Sequence, residues 1–163
     1  MLGVPEAPAQ FDHCPVNITW GRMERLTWKS SDGVDEDGVI VYPPNFLASR
    51  SYPLVLNIHG GPTNASKTNF NVLAQLMAAE GWLVFMPNYR GSDNLGNAYL
   101  PAILGDWGKG PGRDVMDGIT ELRKRLYVNK SRTAVTGWSY GGYMTTWLAI
   151  IPASGARSWQ EPP

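Results

Sequence analysis

Short apolar runs alternate with stretches of helical periodicity along the middle of the chain. The runs over 52–58, 83–86 and 133–136 have the length of buried strands. Three sets of apolar residues recur at helical spacing, and each set predicts an α-helix. These sets are Phe70, Leu73, Leu76 and Met77, then Val115, Ile119, Leu122 and Leu126, and finally Met144, Leu148 and Ile151.

Residues that cap or break helices indicate where the three predicted helices begin and end. Gly81 follows the first apolar set and is expected to end that helix. Asp114 is expected in the first turn of the second helix, where a carboxylate interacts favourably with the helix dipole. The third helix is predicted from Ser139 to about Ile151, and Pro152 is expected to break it.

An antiparallel hairpin is predicted before this alternation begins. The segments over 23–29 and 39–42 have the composition of strands. Residues 31–33 (Ser-Asp-Gly) and 37–38 (Asp-Gly) supply turn residues between them. Two prolines at 43–44 are expected to end the second strand.

Strands that alternate with helices predict an α/β fold, because a parallel sheet must be covered on both faces. We expect an N-terminal antiparallel hairpin that leads into a mostly parallel sheet with helices on both faces. The domain would occupy residues 21–151. Residues 1–20, which contain three prolines and show no periodicity, predict a linker or arm, and residues 152–163 predict an irregular tail.

The balance of charges excludes several classes of partner. Fourteen Lys and Arg residues match fourteen Asp and Glu residues, so no net field attracts nucleic acid or an anionic membrane. The basic run over 123–125 is expected on a solvated helix face. No stretch approaches membrane-spanning length, and the first residues lack the features of a signal peptide.

The single cysteine bears on the compartment. Cys14 cannot form an internal disulfide, which favours a reducing compartment, and the chain is predicted to be cytoplasmic. His13 stands beside it, but two adjacent residues are too few ligands for a metal site. No metal is therefore expected.

The strongest chemical signal is Gly137-Trp138-Ser139-Tyr140-Gly141, which matches the pattern G-x-S-x-G. The match follows an apolar strand and opens a helix, which is the context of a serine nucleophile in an α/β-hydrolase. Glycines two residues either side of Ser139 avoid collisions in so sharp a turn. The turn directs the Tyr140 N–H toward a bound carbonyl oxygen, as one donor of an oxyanion hole. A glycine-rich turn with an incidental serine is the alternative.

A second glycine-rich loop, over 59–62 (His-Gly-Gly-Pro), follows the first buried strand. In α/β-hydrolases this loop supplies the other oxyanion N–H, here from Gly60 or Gly61. One such donor contributes about 3–4 kcal/mol of transition-state stabilisation. His59 precedes Ser139, whereas the catalytic histidine of this fold follows the serine. We therefore expect His59 to shape the loop through hydrogen bonds.

Five segments together resemble the prolyl oligopeptidase family of serine peptidases, in the branch with acylaminoacyl- and dipeptidyl-peptidases. They are residues 28–33 (WKSSDG), 57–62 (NIHGGP), 88–92 (NYRGS), 105–108 (GDWG) and 137–144 (GWSYGGYM). The resemblance implies an α/β-hydrolase fold, hydrolysis of peptide bonds, short peptide substrates, and no cofactor.

The resemblance also implies roles for individual residues. Ser139 would be the nucleophile, and the Tyr140 amide with that of Gly60 or Gly61 would form the oxyanion hole. Trp138 and Tyr143 would line or support the turn. Two further positions, Arg90 and Asp106, match segments that brace loops around the site, most simply through an ion pair or a loop anchor.

Two departures from the family pattern shape the functional prediction. Only the arm over 1–20 stands where family members carry a β-propeller. No His and no Asp follows Ser139, and Glu161 is the sole later acid. The hydrolase fold is therefore expected to be incomplete, with the strand over 133–136 as an unpaired edge. Without its base a comparable triad loses about 10⁶ in kcat, so the chain is predicted to be inactive alone.

Three interpretations remain open at this point. The chain is a truncated serine peptidase, a carboxylesterase-like or lipase-like hydrolase, or a non-catalytic pseudo-enzyme or interaction module. The segments over 88–92 and 105–108 favour the peptidase branch. Neither the peptide specificity nor the oligomeric state follows from the sequence.

Overall fold

The computed structural model describes residues 18–96 and 98–150, which form one mixed five-stranded sheet with helices on both faces. Most of its elements are those that the apolar pattern predicted. In chain order they are β1 (Met23–Lys29), β2 (Asp35–Val41), β3 (Tyr52–Ile58), α1 (Val72–Ala79), β4 (Leu83–Pro87), a 3-10 turn (Leu100–Ile103), α2 (Lys109–Leu122), β5 (Val128–Gly137) and α3 (Tyr140–Ile150).

The strand order is β1-β2-β4-β3-β5. β3 pairs in parallel with β4 and with β5, whereas β1 with β2 and β2 with β4 are antiparallel pairs. The predicted α/β architecture is confirmed, with an antiparallel hairpin that leads into parallel strands. The carboxyl ends of β3, β4 and β5 lie at one edge of the sheet, where open α/β sheets bind their ligands.

Alternate strand residues point to opposite faces of the sheet and build two separate cores. On one face of the sheet, Leu56 and Phe85 belong to the larger core, together with Ile119 of α2 and Met144 of α3. On the opposite face, α1 packs against β2 and β4 and forms the smaller core. That second core consists of Val39, Val41, Ala74, Ala78, Val84 and Met86.

The hairpin has the predicted first strand but a longer second strand. β1 spans Met23–Lys29 as expected, whereas β2 begins two residues before Asp37. Asp37 and Gly38 therefore lie inside β2 and not in a turn, which corrects their predicted role. Asp37 tolerates this buried position because three side chains donate hydrogen bonds to its carboxylate. The donors are Arg25, Asn88 and Asn94.

The first predicted helix forms, but it turns its other face to the sheet. Gly81, with a φ of 85°, follows its end as expected. The residues that α1 buries are Ala74, Gln75 and Ala78. The members of the predicted apolar set that lie more than half exposed are Phe70, Leu73 and Leu76. Alanine side chains allow the helix to approach the sheet closely, and Gln75 exchanges hydrogen bonds with the backbone of Gly21.

The second predicted helix is confirmed as α2, with corrections at both ends. Leu126 lies beyond the helix and is 97% exposed, so it does not belong to the apolar face. Asp114 lies in the helix interior and is fully buried, not in the first turn. The helix begins earlier than expected because the Asp106 carboxylate accepts hydrogen bonds from the N–H groups of Gly108 and Gly110.

The basic run over 123–125 follows α2 and does not lie on a solvated helix face. Arg123 donates to the Lys130 carbonyl, and Arg125 forms an ion pair with Glu24 at 2.7 Å. These contacts tie the end of α2 to β1 and β5. Arg123 and Arg125 are therefore structural, whereas Lys124 is exposed and pairs with Glu121.

The strand over 133–136 forms part of β5, but its predicted burial is wrong. Val128 is the one buried residue of β5. Within the described residues β5 pairs only with β3 and lies at the edge of the sheet, which agrees with the expected unpaired edge. The third predicted helix is confirmed as α3, with Met144 and Leu148 buried.

Several predictions fall outside the described residues. They concern the arm over 1–17 with His13 and Cys14, Ile151 and Pro152, and the tail over 152–163. Trp20, in the described part of the predicted arm, packs edge-on against Phe70 with ring centroids 4.9 Å apart. No helix in the described ranges combines the length and apolar character that crossing a bilayer requires.

Candidate active site

Three loops at the carboxyl ends of the parallel strands bring the predicted site residues together. β3 leads into residues 59–62, β4 into residues 88–92, and β5 into the turn that holds Ser139. Because β3 lies between β4 and β5, the 59–62 loop has the other two loops on its flanks. The pairing of Ile58 with Gly137 places the ends of β3 and β5 side by side.

Ser139 occupies a sharp turn between β5 and α3, and its side chain is exposed. Its φ is 56°, a left-handed conformation that costs a non-glycine residue about 1–3 kcal/mol. A Cβ at Gly137 would lie 2.5 Å from the backbone carbon of Gly141, and one at Gly141 would lie 2.1 Å from the Ile58 oxygen. The turn therefore requires both glycines, and it has the strand–turn–helix geometry that the sequence predicted.

The glycine loop meets this turn directly. A Cβ at Gly60 would lie 2.6 Å from the Trp138 carbonyl oxygen and 3.3 Å from the Ser139 Cβ. Gly61 has a φ of 49°, so its backbone conformation, and not a lack of space, favours glycine there. Tyr140 is the first residue of α3, so its N–H has no acceptor within the helix. The loop and the helix N-terminus thus meet at Ser139.

His59 is partly buried, and both of its ring nitrogens are engaged away from Ser139. Nε2 lies 3.0 Å from Ser92 Oγ, and because that hydroxyl already donates to the Tyr89 carbonyl, Nε2 donates to the hydroxyl. Nδ1 lies 3.2 Å from the Gly60 carbonyl oxygen and 3.1 Å from the Tyr89 hydroxyl, and that hydroxyl donates to the His59 carbonyl oxygen at 2.9 Å. The two rings stack with centroids 4.4 Å apart. Burial lowers the pKa of His59 to about 4, so the imidazole is neutral at pH 7.

Aromatic side chains pack around the start of α3. The Tyr140 hydroxyl donates to the Trp107 carbonyl at 2.7 Å, and the Tyr140 ring lies between those of Tyr89 and Tyr143. Burial raises the pKa of Tyr140, so the hydroxyl stays protonated as a donor. Tyr143 is 48% exposed, whereas Trp138 is 86% exposed beside Ser139. Both side chains are therefore exposed, and the ring of Tyr143 contacts that of Tyr140.

Arg90 anchors the 88–92 loop to α2 and does not contact Ser139. Its guanidinium binds Asp114 in a bidentate pair at 2.7 and 2.5 Å, and its backbone N–H donates to the same carboxylate at 2.8 Å. The Asp114 carboxylate raises the pKa of Arg90, which stays charged. Asp32 accepts a further bond from this guanidinium at 3.0 Å. Sequence reasoning missed Asp114 as the anchor, because nothing local connects positions 90 and 114.

An open depression of about 480 Å³ lies over Ser139. Besides Ser139 it is lined by Gly60, Gly61, Thr63, Asn64, Asp93 and Trp138. Asp93 is the charged member of this set, and no motif in the sequence marked it. Its position directly after the 88–92 segment was the only available signal.

The described residues supply no base for Ser139. No side chain among residues 18–96 and 98–150 hydrogen-bonds to its hydroxyl, and both nitrogens of His59 are already in use. Over the same ranges no three His, Cys, Asp or Glu side chains come together as a metal site would require. The geometry offers an exposed hydroxyl and backbone donors, without a proton acceptor beside them.

Solved structures similar to this chain include peptidases and a hydrolase. Pyrococcus horikoshii acylaminoacyl peptidase superposes with a TM-score of 0.74 at 30% identity, over 81% of this chain and 22% of that protein. A puromycin hydrolase superposes with a TM-score of 0.76 at 28% identity, over 84% of this chain and 22% of that chain. These neighbours identify the fold as part of an α/β-hydrolase domain.

Sequence relatives agree with the structural neighbours. The uncharacterized peptidase YuxL of Bacillus subtilis is 37% identical over 126 residues, and dipeptidyl-peptidase 5 of Porphyromonas gingivalis is 34% identical over 128 residues. Each match covers 77% of this chain and 19% of the relative, so the chain spans about a fifth of their length. The model of the prolyl oligopeptidase family matches residues 68–153, more than half of the chain. The chain therefore belongs to the prolyl oligopeptidase family of peptidases.

Proposed function

We propose that Ser139 is the nucleophile of a serine peptidase that hydrolyses short peptides through an acyl-enzyme. One observation carries the proposal: an exposed serine sits at a φ of 56° on a turn that cannot accept side chains at Gly137 or Gly141. A strained, exposed serine between a strand and a helix has no structural reason to persist unless its hydroxyl is used. Family membership supplies the reaction class.

The backbone around Ser139 suits the charge that develops during acyl transfer. Attack by Oγ forms a bond to the carbonyl carbon and moves an electron pair onto the carbonyl oxygen. The N–H of Tyr140 and that of Gly60 or Gly61 would donate to this oxygen, each worth about 3–4 kcal/mol. Collapse of the intermediate releases the amine, and water then hydrolyses the serine ester. The neutral His59 holds the 59–62 loop in position and takes no proton.

The proton of Ser139 needs an acceptor that residues 18–96 and 98–150 do not place beside it. The sequence contains two histidines, His13 and His59, and His59 is fully engaged by Ser92 and Tyr89. Because the chain spans about a fifth of its relatives, we propose that a histidine and an aspartate elsewhere in such a protein complete the triad. The isolated chain should then lose about 10⁶ in kcat and show no measurable turnover.

A hybrid protein tests this proposal. Residues 18–150 would replace the segment of the Bacillus subtilis peptidase that they match, so that the host supplies the rest of its own chain. We expect the hybrid to cleave the host's peptide substrates and to react with a fluorophosphonate at Ser139. The isolated chain should not react, and Ser139→Ala in the hybrid should abolish both signals.

The competing functions predict different outcomes from the same hybrid. If a folded Ser139→Ala hybrid still reacts, the nucleophile lies elsewhere and the proposal fails. A folded hybrid that never reacts would favour a non-catalytic module. Faster turnover of short esters than of peptide amides would favour the carboxylesterase alternative. Far-UV circular dichroism and cooperative unfolding establish that each variant is folded.

A further inference from the structure

One carboxylate lines the depression that contains Ser139. The other lining residues are uncharged at neutral pH, so Asp93 sets the sign of the local potential. Asp93 follows directly on Ser92, whose hydroxyl is held by His59 and by the Tyr89 carbonyl. Its backbone is therefore fixed to the same framework as the glycine loop.

The charge of Asp93 is only weakly neutralised within the chain. Among the described residues it forms an ion pair with Lys67, with Nζ 3.6 Å from Oδ1, and the side chains of Lys67 and Asp93 are 61% and 45% exposed. Exposed pairs of this length contribute little and are screened by salt. The buried Asp114 differs, because Arg90 alone gives it three hydrogen bonds. Asp93 also acts inside the site, where its charge opposes the lowering of the His59 pKa by burial.

An uncovered aromatic ring stands at the same depression. Trp138 is 86% exposed although it precedes Ser139 directly, and it packs on no other aromatic ring in the described ranges. Tryptophan is the aromatic side chain that attracts ammonium and guanidinium groups most strongly. A carboxylate and an exposed indole ring can both bind an organic cation, and both belong to residues that line this depression.

We propose that Asp93 and Trp138 form a subsite for a positively charged group of the substrate next to the scissile carbonyl. The inference rests on the proposed function of Ser139, and it narrows the substrate class to peptides with a cation near the cleaved bond. The cation is either a basic side chain or a free amino terminus, since both offer the same chemistry. The two sources are separated by the choice of probe.

Binding to the isolated full chain is the test, because it requires no turnover. Nuclear magnetic resonance titrations would follow the amides of Gly60, Gly61 and Asn64. The probes are N-acetyl-arginine amide and its neutral isostere N-acetyl-citrulline amide, with alaninamide and N-acetyl-alaninamide for the amino terminus. We expect the charged member of one pair to bind about two- to fivefold more tightly, and the ratio to fall with added salt.

Three substitutions test whether Asp93, Lys67 and Trp138 determine the preference for the charged probe. Asp93→Asn should remove the preference for the cation, and Lys67→Gln should increase it, because the carboxylate then has no internal competitor. Trp138→Leu should weaken the binding of the charged probe about two- to fivefold. Asp35→Asn is the matched control, since Asp35 is also an exposed acid paired with a lysine, Lys29, at 2.7 Å. It should leave the preference unchanged.

The outcomes separate this subsite from the nucleophile proposal. Equal binding of charged and neutral probes in both pairs, or an unchanged preference in Asp93→Asn, would overturn the subsite. If Asp93→Asn proves unfolded, Lys67→Gln takes its place as the test, and a preference for the cation that does not increase in Lys67→Gln would overturn the subsite. Ser139→Ala should bind the cation as the parent chain does. Selective binding together with an unreactive hybrid would leave the subsite standing and remove Ser139 as the nucleophile.

Discussion

Replacing Gly141 with alanine should destabilise the chain, because the new methyl group meets backbone on one side. The Cβ would lie 2.1 Å from the Ile58 oxygen, 2.9 Å from the Ile58 carbonyl carbon and 3.0 Å from the His59 oxygen. An ordinary carbon–oxygen contact is about 3.3 Å or longer. The start of α3 must therefore move away from the end of β3 by about 1 Å, and no change of rotamer relieves the contact.

Two opposing contributions set the change in the free energy of unfolding. Overpacking of this kind costs about 1–3 kcal/mol, and occasionally more. Alanine is otherwise preferred over glycine inside a helix by about 0.5–1 kcal/mol, which offsets part of that cost. We expect Gly141→Ala to lower the free energy of unfolding by about 1–2 kcal/mol, a large share of a typical stability of about 5–15 kcal/mol.

The adjacent glycine provides the control. A Cβ at Gly142 would have its nearest neighbour, the Gly137 oxygen, at 3.4 Å, which is an ordinary contact. Gly142→Ala should therefore leave stability unchanged or raise it by up to about 1 kcal/mol. Urea denaturation followed by circular dichroism measures both variants. Equal midpoints for the two alanine variants would refute the close approach of the Ser139 turn to β3.

Two further predictions concern the buried carboxyl groups of Glu36 and Asp114. Burial, together with the Asp114 carboxylate, raises the pKa of Glu36 to about 9. Glu36 is therefore neutral in the fold over a pH range in which an ordinary glutamate, with a pKa of about 4.3, is ionised in the unfolded chain. Stability should fall as pH rises from about 5 to 9, and urea titrations of Glu36→Gln should show a shallower fall; an identical pH profile would contradict the raised pKa. Asp114→Asn should lose about 3–5 kcal/mol because the largely buried guanidinium of Arg90 loses its bidentate partner and keeps only Asp32. Asp32→Asn, at the exposed side of the same guanidinium, should lose less than about 1 kcal/mol, and similar losses would contradict the assigned anchor.

The order of elements was predictable because apolar runs and helical periodicity report directly on burial along one segment. β1 and β3 begin and end where the sequence predicted. The burial of α1 was not predictable, because periodicity locates apolar positions but does not show which face meets the sheet. Ala74 and Ala78 face the sheet because their small side chains allow a close approach, and Leu73 and Leu76 are therefore exposed to solvent. β5 was predicted as buried from its own residues, although its exposure depends on its place in the strand order.

The candidate site likewise has features that were predictable from the sequence and features that were not. The turn at Ser139 was predictable since its requirements are local: two glycines, a preceding strand and a following helix. The contacts that hold the neighbouring loops were not, because they join distant positions. Arg90 and Asp114 are 24 residues apart, and His59 and Ser92 are 33 apart. No periodicity or short motif records such pairs.

These distant contacts form one continuous path from α2 to the predicted oxyanion loop. Asp114 holds the guanidinium and the backbone of Arg90, and two other residues of the same loop, Tyr89 and Ser92, contact His59. Tyr89 stacks on the imidazole, and Ser92 accepts the hydrogen bond from its Nε2. Because Gly60 follows His59 and abuts the Ser139 turn, the loop is held from the β4 side and limited from the β5 side. A backbone placed in this way needs no reorganisation when charge develops on a bound carbonyl, and that is the condition under which an oxyanion hole stabilises a transition state.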